Sequence, residues 1–311
     1  MSLLEIAGLS VQFEGRDGTV PVLDNIDLEI NSGDRVALIG ESGCGKTVFG
    51  MSVMRLLPSN ARVTGSARYA GRDLLLADER EMQQVRGKKI AMISQNSASV
   101  LNPVLTIGDQ IAESLTIHTS CRGKDLHREV IALLTSLGIE RPEENMQKYP
   151  HQFSGGMRER ILIAMALACN PDLIIADEPT SGLDALVKAQ ILELLRTVMQ
   201  DRTLLLITHD LGTASALASH TAVMYAGEIV EYGPTQELFT YPLHPYTQGL
   251  IAASPSAGFH PIPGVSPAPG QVPPGCWFCP RCTCATDRCS TGHPSLKKTG
   301  TNRQVRCLRY D

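Results

Sequence analysis

Gly40-Glu41-Ser42-Gly43-Cys44-Gly45-Lys46-Thr47 decides the fold. The stretch reads G-x-x-x-x-G-K-[ST], the pattern of a turn that cradles nucleotide phosphates. Arg35 to Ile39 before it is a short apolar run, as a buried parallel strand requires, and Lys46 to Leu57 after it predicts an amphipathic helix. Strand, glycine-rich turn and helix together suit phosphate binding: the glycines let backbone N–H groups close around the oxygens, and the new helix points its positive end at them. Gly40, Ser42, Gly43, Cys44 and Gly45 are therefore candidate phosphate contacts. Lys46 is placed to reach the β- and γ-phosphates, and the Thr47 hydroxyl to take one position on Mg²⁺. An ordinary glycine-rich turn is the competing reading, and it weakens as further motifs fall in order along the chain.

Composition sets the frame. The 311 residues are 43% hydrophobic and 19% charged with net charge −4, ordinary values for a globular protein with room for a large domain and something smaller. No basic excess points to nucleic acid. The longest apolar run, Ile161 to Cys169, is far short of the about twenty residues that cross a bilayer. Glu5 comes early and no basic start precedes the apolar residues, so a signal peptide is not expected and the chain reads as cytosolic. Six of the nine cysteines lie between Cys276 and Cys307, which suggests a metal site more than a disulfide framework.

Along the chain, Leu3 to Phe13 and Val22 to Ile30 alternate like strands, and Arg62 to Tyr69 and Lys89 to Ile93 read as further strands. Phe13 is either an adenine-stacking ring or a core aromatic at a strand end. Gln95, just beyond a buried strand, is placed to touch Mg²⁺ or the attacking water, or simply caps the strand. From Thr106 to Tyr149 the spacing turns helical, with Ile107, Ile111 and Leu115 and then Val130, Leu133, Leu134 and Leu137, which predicts a helical insertion. Ser154-Gly155-Gly156-Met157 opens another helix and makes a second anion site. A helix cap explains Ser154 but hardly both glycines. Leu173 to Ala176 is an apolar strand running into Asp177 and Glu178, where one carboxylate can hold the metal and the other polarise water. Ser181 to Asp184 begins a helix, and Thr203 to Ile207 is a strand leading to Thr208 and His209.

In this order the motifs resemble the ATP-binding-cassette ATPases, in register from about Leu3 to Gly233. The resemblance implies an α/β fold: a P-loop NTPase core with an antiparallel β subdomain, an inserted helical subdomain (roughly 98–168) and a small cysteine-rich C-terminal extension. The cassette would span 1–235 and the extension 236–311. It assigns Gly40 to Thr47 to the Walker A motif, Gln95 to the Q-loop, Ser154 to Met157 to the signature and Asp177 to Walker B. Glu178 becomes the catalytic glutamate, Asp184 part of the D-loop, His209 the switch histidine and Phe13 the adenine-stacking aromatic. Thr47, Gln95 and Asp177 would hold Mg²⁺. The signature departs from the family's usual form at Phe153 and Met157, neither of which is a phosphate-binding group.

The second half narrows the match. Gln95-Asn96, Leu101-Asn102-Pro103-Val104, Tyr149 to Arg158, His244-Pro245-Tyr246-Thr247 and Gly275 to Cys282 look like the peptide and nickel importer branch. Gly-Gly-Met followed by Ile163 to Leu167 is similar to the first of that branch's two ATPase subunits. The resemblance implies an ATPase driving import of peptides, or of nickel chelates or another small solute. Its expected partners are a related second ATPase subunit, two transmembrane permease subunits and, indirectly, an external solute-binding protein, with no nucleic acid. It would sit peripherally on the cytoplasmic face of the inner membrane. Cys276, Cys282, Cys289 and Cys307, spaced x₅, x₆ and x₁₇, match the branch's C-terminal cysteines and imply a 4Fe–4S cluster, with zinc or no metal the alternatives. Cys279 and Cys284 are extra. The phosphate-binding motifs lie elsewhere in the sequence, so ATP binding is expected to survive substitution of any of the six tail cysteines. A soluble cassette ATPase acting on nucleic acid or ribosomes lacks its usual tandem cassettes or coiled-coil insertion here. Intact Glu178 and His209 argue against a metal or redox sensor built on a dead cassette.

Overall fold

The computed structural model describes residues 2–16, 18–95 and 97–311; Asn96, quoted beside Gln95, lies outside the described residues. The chain forms two compact units, Met1–Leu76 with Leu206–Asp311, and Ala77–Leu205.

In the first unit, β1 (Ser2–Gly15) pairs antiparallel with β2 (Gly18–Asn31). Alternation buries Leu4, Ile6, Leu9 and Val11 against Leu23, Ile26, Leu28 and Ile30, with register shifts that keep these side chains on one face. The chain then enters β3 (Arg35–Ile39), buried from Val36 onward, and α1 (Lys46–Val53). This helix stops four residues before the expected Leu57, because Arg55 turns left-handed at φ +50°. β4 (Ala61–Tyr69) and β5 (Arg72–Asp73) complete an antiparallel sheet in the order β2-β1-β4-β5.

The second unit opens with α2 (Glu79–Val85), started by a capping box between Asp78 and Glu81. Its β6 (Ile90–Ile93) runs parallel to β7 (Leu173–Asp177). Between them lie α3 (Ser97–Val100), α4 (Ile107–His118), α5 (Gly123–Ser136), α6 (Pro142–Asn145) and α7 (Gly155–Leu167). The helical spacing buries Ile107, Ile111, Leu115, Val130, Leu134 and Leu137. After α8 (Ala185–Val198), β8 (Thr203–Thr208) carries the chain back to the first unit.

There α9 (Leu211–Leu217) leads to β9 (His220–Tyr225), which lies parallel to β3 and turns through left-handed Ala226 and Gly227 into antiparallel β10 (Glu228–Pro234). α10 (Thr235–Thr240) and α11 (Pro245–Ala252) follow. Pro255 to Pro274 holds no helix or strand beyond one short turn at Pro255–Ala257, as a proline-rich wrap should. The tail adds α12 (Asp287–Thr291), β11 (Lys297–Lys298) and β12 (Gln304–Val305), and β12 pairs antiparallel with β10. Polar anchors fix it. Glu231, fully buried, accepts N–H bonds from Leu243 and His244 at 2.9 Å each and pairs with Arg303 at 2.6 Å. Glu228 pairs with His293 at 2.9 Å and Arg306 at 3.3 Å. Among the described residues no helix is long and apolar enough to cross a membrane.

Candidate active site

The first unit carries the phosphate loop. A Cβ at Gly40 would meet the Met224 carbonyl at 2.2 Å, and one at Gly45 would meet Leu23 Cδ2 at 2.6 Å, so both positions demand glycine. Gly45 starts α1 with φ +108°, no side chain caps the helix, and its first turn holds no acid. Its leading N–H groups are thus left for an anion. Lys46 is buried, and its Nζ donates to the carbonyls of Gly40 at 2.8 Å and Glu41 at 2.9 Å. A phosphate oxygen, carrying charge, would compete well for that ammonium. Ser42, Gly43 and Thr47 are exposed, with Thr47 in the first turn of α1. The Cys44 thiol is buried, which raises its pKa and keeps it protonated despite nearby Lys46. These features fit a nucleoside triphosphate. His209 follows β8 directly and is exposed, while Asp210 caps α9 through the Thr213 N–H at 2.9 Å. Phe13 is half-buried in β1, opposite Val20 and Ala61.

The second unit carries the acids and the serine–glycine turn. β7 is buried throughout and ends on Asp177. Glu178 follows half-buried, with its backbone held at φ +50°. A glutamate in that conformation is strained, and such strain concentrates at functional positions. No sequence pattern signals it. Gln95 is exposed two residues beyond β6. Ser154 caps α7, accepting the Met157 N–H at 3.3 Å. A Cβ at Gly156 would lie 2.4 Å from Val187 Cγ1, whereas one at Gly155 would find only Leu183 Cδ2 at 3.6 Å. Packing against α8 therefore accounts for Gly156, and Gly155 is the glycine left without a packing reason. Asp184 caps α8, accepting N–H bonds from Leu186 at 3.1 Å and Val187 at 3.0 Å.

The cysteine tail is gathered but open. Burial pushes the Cys276 thiol up to about 11, with Cys289 and Cys307 adding to the rise. Burial likewise raises Cys282 and Cys307, and each feels Cys284 and Cys289. The expected ligands thus share one neighbourhood with the extra Cys284. Yet among the described residues no three His, Cys, Asp or Glu are grouped so as to hold a metal ion. The iron–sulfur expectation gains no support from this arrangement. Sequence reasoning missed Arg281, whose guanidinium makes two bonds to the Glu41 carboxylate, at 2.7 and 2.9 Å. Through Arg281 the tail touches the phosphate loop, although the phosphate-binding motifs lie elsewhere in the sequence. Nothing in the sequence pairs these residues across 240 positions.

Comparison with known proteins agrees with this geometry. Residues 23–181 match the ABC transporter family, and residues 230–289 match the oligopeptide/dipeptide transporter C-terminal region. The oligopeptide transport ATP-binding protein AppD of Bacillus subtilis is 42% identical over 319 residues, covering 100% of this chain and 97% of that protein. The dipeptide transport ATP-binding protein DppD of the same organism is 42% identical over 318 residues, covering 99% and 95%. A solved structure of the ATP-binding cassette MJ0796, a dimer in a post-hydrolysis state bound to ADP and Pi, is similar in fold, with TM-score 0.66 and 24% identity over 75% of this chain and 98% of that one. The chain belongs to the ABC transporter family: it is an ATP-binding-cassette ATPase with the C-terminal region of the oligopeptide/dipeptide transporters.

Proposed function

We propose that this chain powers peptide import, hydrolysing ATP on the cytoplasmic face of a membrane for a separately encoded permease. The observation that carries the reading is the oligopeptide/dipeptide transporter C-terminal region at residues 230–289, following an intact phosphate loop and carboxylate pair. The cassette occupies 1–235, with its helical insertion at about 98–168, and the extension 236–311. The import of nickel chelates is the second reading, favoured only by motifs that the branch shares.

In the proposed reaction, Lys46 and the N–H groups of Gly40 to Gly45 hold the phosphates, and Phe13 stacks on the adenine. Thr47, Gln95 and Asp177 would hold Mg²⁺, which would supply positive charge to the transferred phosphoryl group. Glu178 takes the proton of the attacking water as its oxygen bonds to the γ-phosphorus and the bond to the β–γ bridging oxygen breaks, releasing ADP and phosphate. His209, which directly follows β8, is the residue that would contact the γ-phosphate in this reading. Ser154, Gly155, Gly156 and Asp184 serve the nucleotide of a second, related cassette, which makes a heterodimer the working unit beside two permease subunits and an external solute-binding protein. Iron–sulfur or zinc binding by the tail, with Cys276, Cys282, Cys289 and Cys307 as ligands, rests on the spacing of these cysteines in the sequence.

Glu178→Gln keeps shape and hydrogen bonding but removes the base, so ATP turnover should fall about 10²–10⁴-fold with nucleotide binding retained. Lys46→Ala should instead lose binding. Normal turnover by Glu178→Gln in a malachite-green phosphate assay refutes the assignment of the base.

A further inference from the structure

Within the first unit, one residue of the phosphate loop, Glu41, is held at three points, two of them by the C-terminal region. Its N–H donates to the Tyr246 hydroxyl at 2.9 Å, and its carbonyl accepts from Lys46 Nζ at 2.9 Å. Its carboxylate takes both arms of the Arg281 guanidinium, a fork that fixes direction as well as charge. Arg281 is itself immobilised. Its side chain is 5% exposed, its Nε donates to the Pro263 carbonyl at 3.0 Å, and its Cζ lies 5.8 Å from the Tyr225 ring centroid and 6.0 Å from that of Phe278. Phe278 and Arg281 enclose Cys279 and Pro280, and Cys282 comes next, so the clamp is built into the cysteine-rich segment.

The charge argument follows from position. Glu41 is the second residue of a loop that binds a polyanion, and its carboxylate is only 26% exposed. A half-buried carboxylate there would repel the triphosphate unless a cation answered it. Arg281 is that cation. We infer that Arg281 is a positioning residue for nucleotide binding: it neutralises Glu41 and clamps the entry of the phosphate loop, so the cysteine-rich region sets the loop's affinity for ATP. The inference rests on reading residues 40–47 as the phosphate loop.

The test is calorimetric binding of a non-hydrolysable ATP analogue with Mg²⁺ to the full chain, with folding of each variant checked by circular dichroism. Arg281→Ala should weaken binding about tenfold or more, within the ordinary range of coupling between sites. Arg281→Lys, which keeps the charge but not the fork, should fall between Arg281→Ala and the wild type. The decisive comparison is the double variant. Without the Glu41 carboxylate, loss of the arginine should matter little, so Arg281→Ala with Glu41→Gln should bind within about threefold of Glu41→Gln alone, the cycle isolating the pair. If the double variant binds as poorly as Arg281→Ala, the arginine is a structural staple and the charge argument is overturned. Wild-type affinity in folded Arg281→Ala also overturns it. Should Arg281→Ala not fold, wild-type affinity in Arg281→Lys overturns the requirement for the fork. Undiminished binding by Lys46→Ala would instead refute the reading of the phosphate loop, a failure distinct from the others.

Discussion

Gly156→Ala should destabilise the second unit even though alanine is the better helix former. The added Cβ would sit 2.4 Å from Val187 Cγ1, more than 1 Å inside the roughly 3.5–4.0 Å of a carbon–carbon contact. Val187 lies in α8, where a β-branched side chain has essentially one χ1 rotamer, so it cannot swing aside cheaply. Overpacking of this kind costs about 1–3 kcal/mol. Removing a helical glycine returns up to about 1 kcal/mol. The net for Gly156→Ala is thus a loss of about 0–3 kcal/mol. Gly155→Ala receives the same return with only an ordinary contact at 3.6 Å, so it should be neutral or slightly stabilising. Subtracting the two cancels much of the propensity and leaves the overlap, about 1–3 kcal/mol. Urea unfolding followed by circular dichroism measures it, and Val187→Ala should abolish the penalty by removing Cγ1. If Gly156→Ala is as stable as Gly155→Ala, or Val187→Ala gives no relief, the packing argument fails. Turnover then separates folding from function: Gly155→Ala should fold normally yet lose ATPase activity in the assembled transporter.

Two further outcomes concern the tail. Protein purified without oxygen should carry iron or zinc by elemental analysis, lost in Cys276→Ser, Cys282→Ser, Cys289→Ser or Cys307→Ser and less affected in Cys279→Ser or Cys284→Ser; finding neither metal refutes the ligand set. The hydrogen bond to Glu228 raises the pKa of His293 against the opposing effect of partial burial. The charged pair therefore stabilises fully below the unfolded histidine value of about 6.5 and fades as pH rises through the raised folded value. Urea unfolding should show the wild type losing its advantage over His293→Gln across that interval, and a constant difference between them would refute the pairing.

Local chemistry was legible in the sequence and distant pairing was not. The phosphate loop, the Asp177–Glu178 strand end and the Ser154 cap each announce themselves within a few residues, because backbone geometry and side-chain type fix them locally. The inserted helices were legible from apolar spacing alone. Helix ends were less so: nothing in Lys46 to Leu57 foretold that Arg55 would leave the helical region. The β9–β10 hairpin escaped notice because its turn places Ala226, a residue with no turn preference, at φ +50°. The strain at Glu178 and the Glu41–Arg281 fork arise only when the chain is folded.

The pairing of β12 with β10 has a consequence for where this chain can be cut. A cassette ended at 235, where the sequence places its boundary, would lose the partner strand along Glu231 and Tyr232. Unsatisfied N–H and C=O groups on such an edge invite pairing with other molecules and aggregation. The same cut removes Arg303 and leaves Glu231 as an anion without its counter-charge. The extension therefore covers the edge of β10, and a piece of this protein ended before Val305 should aggregate more readily than the full chain.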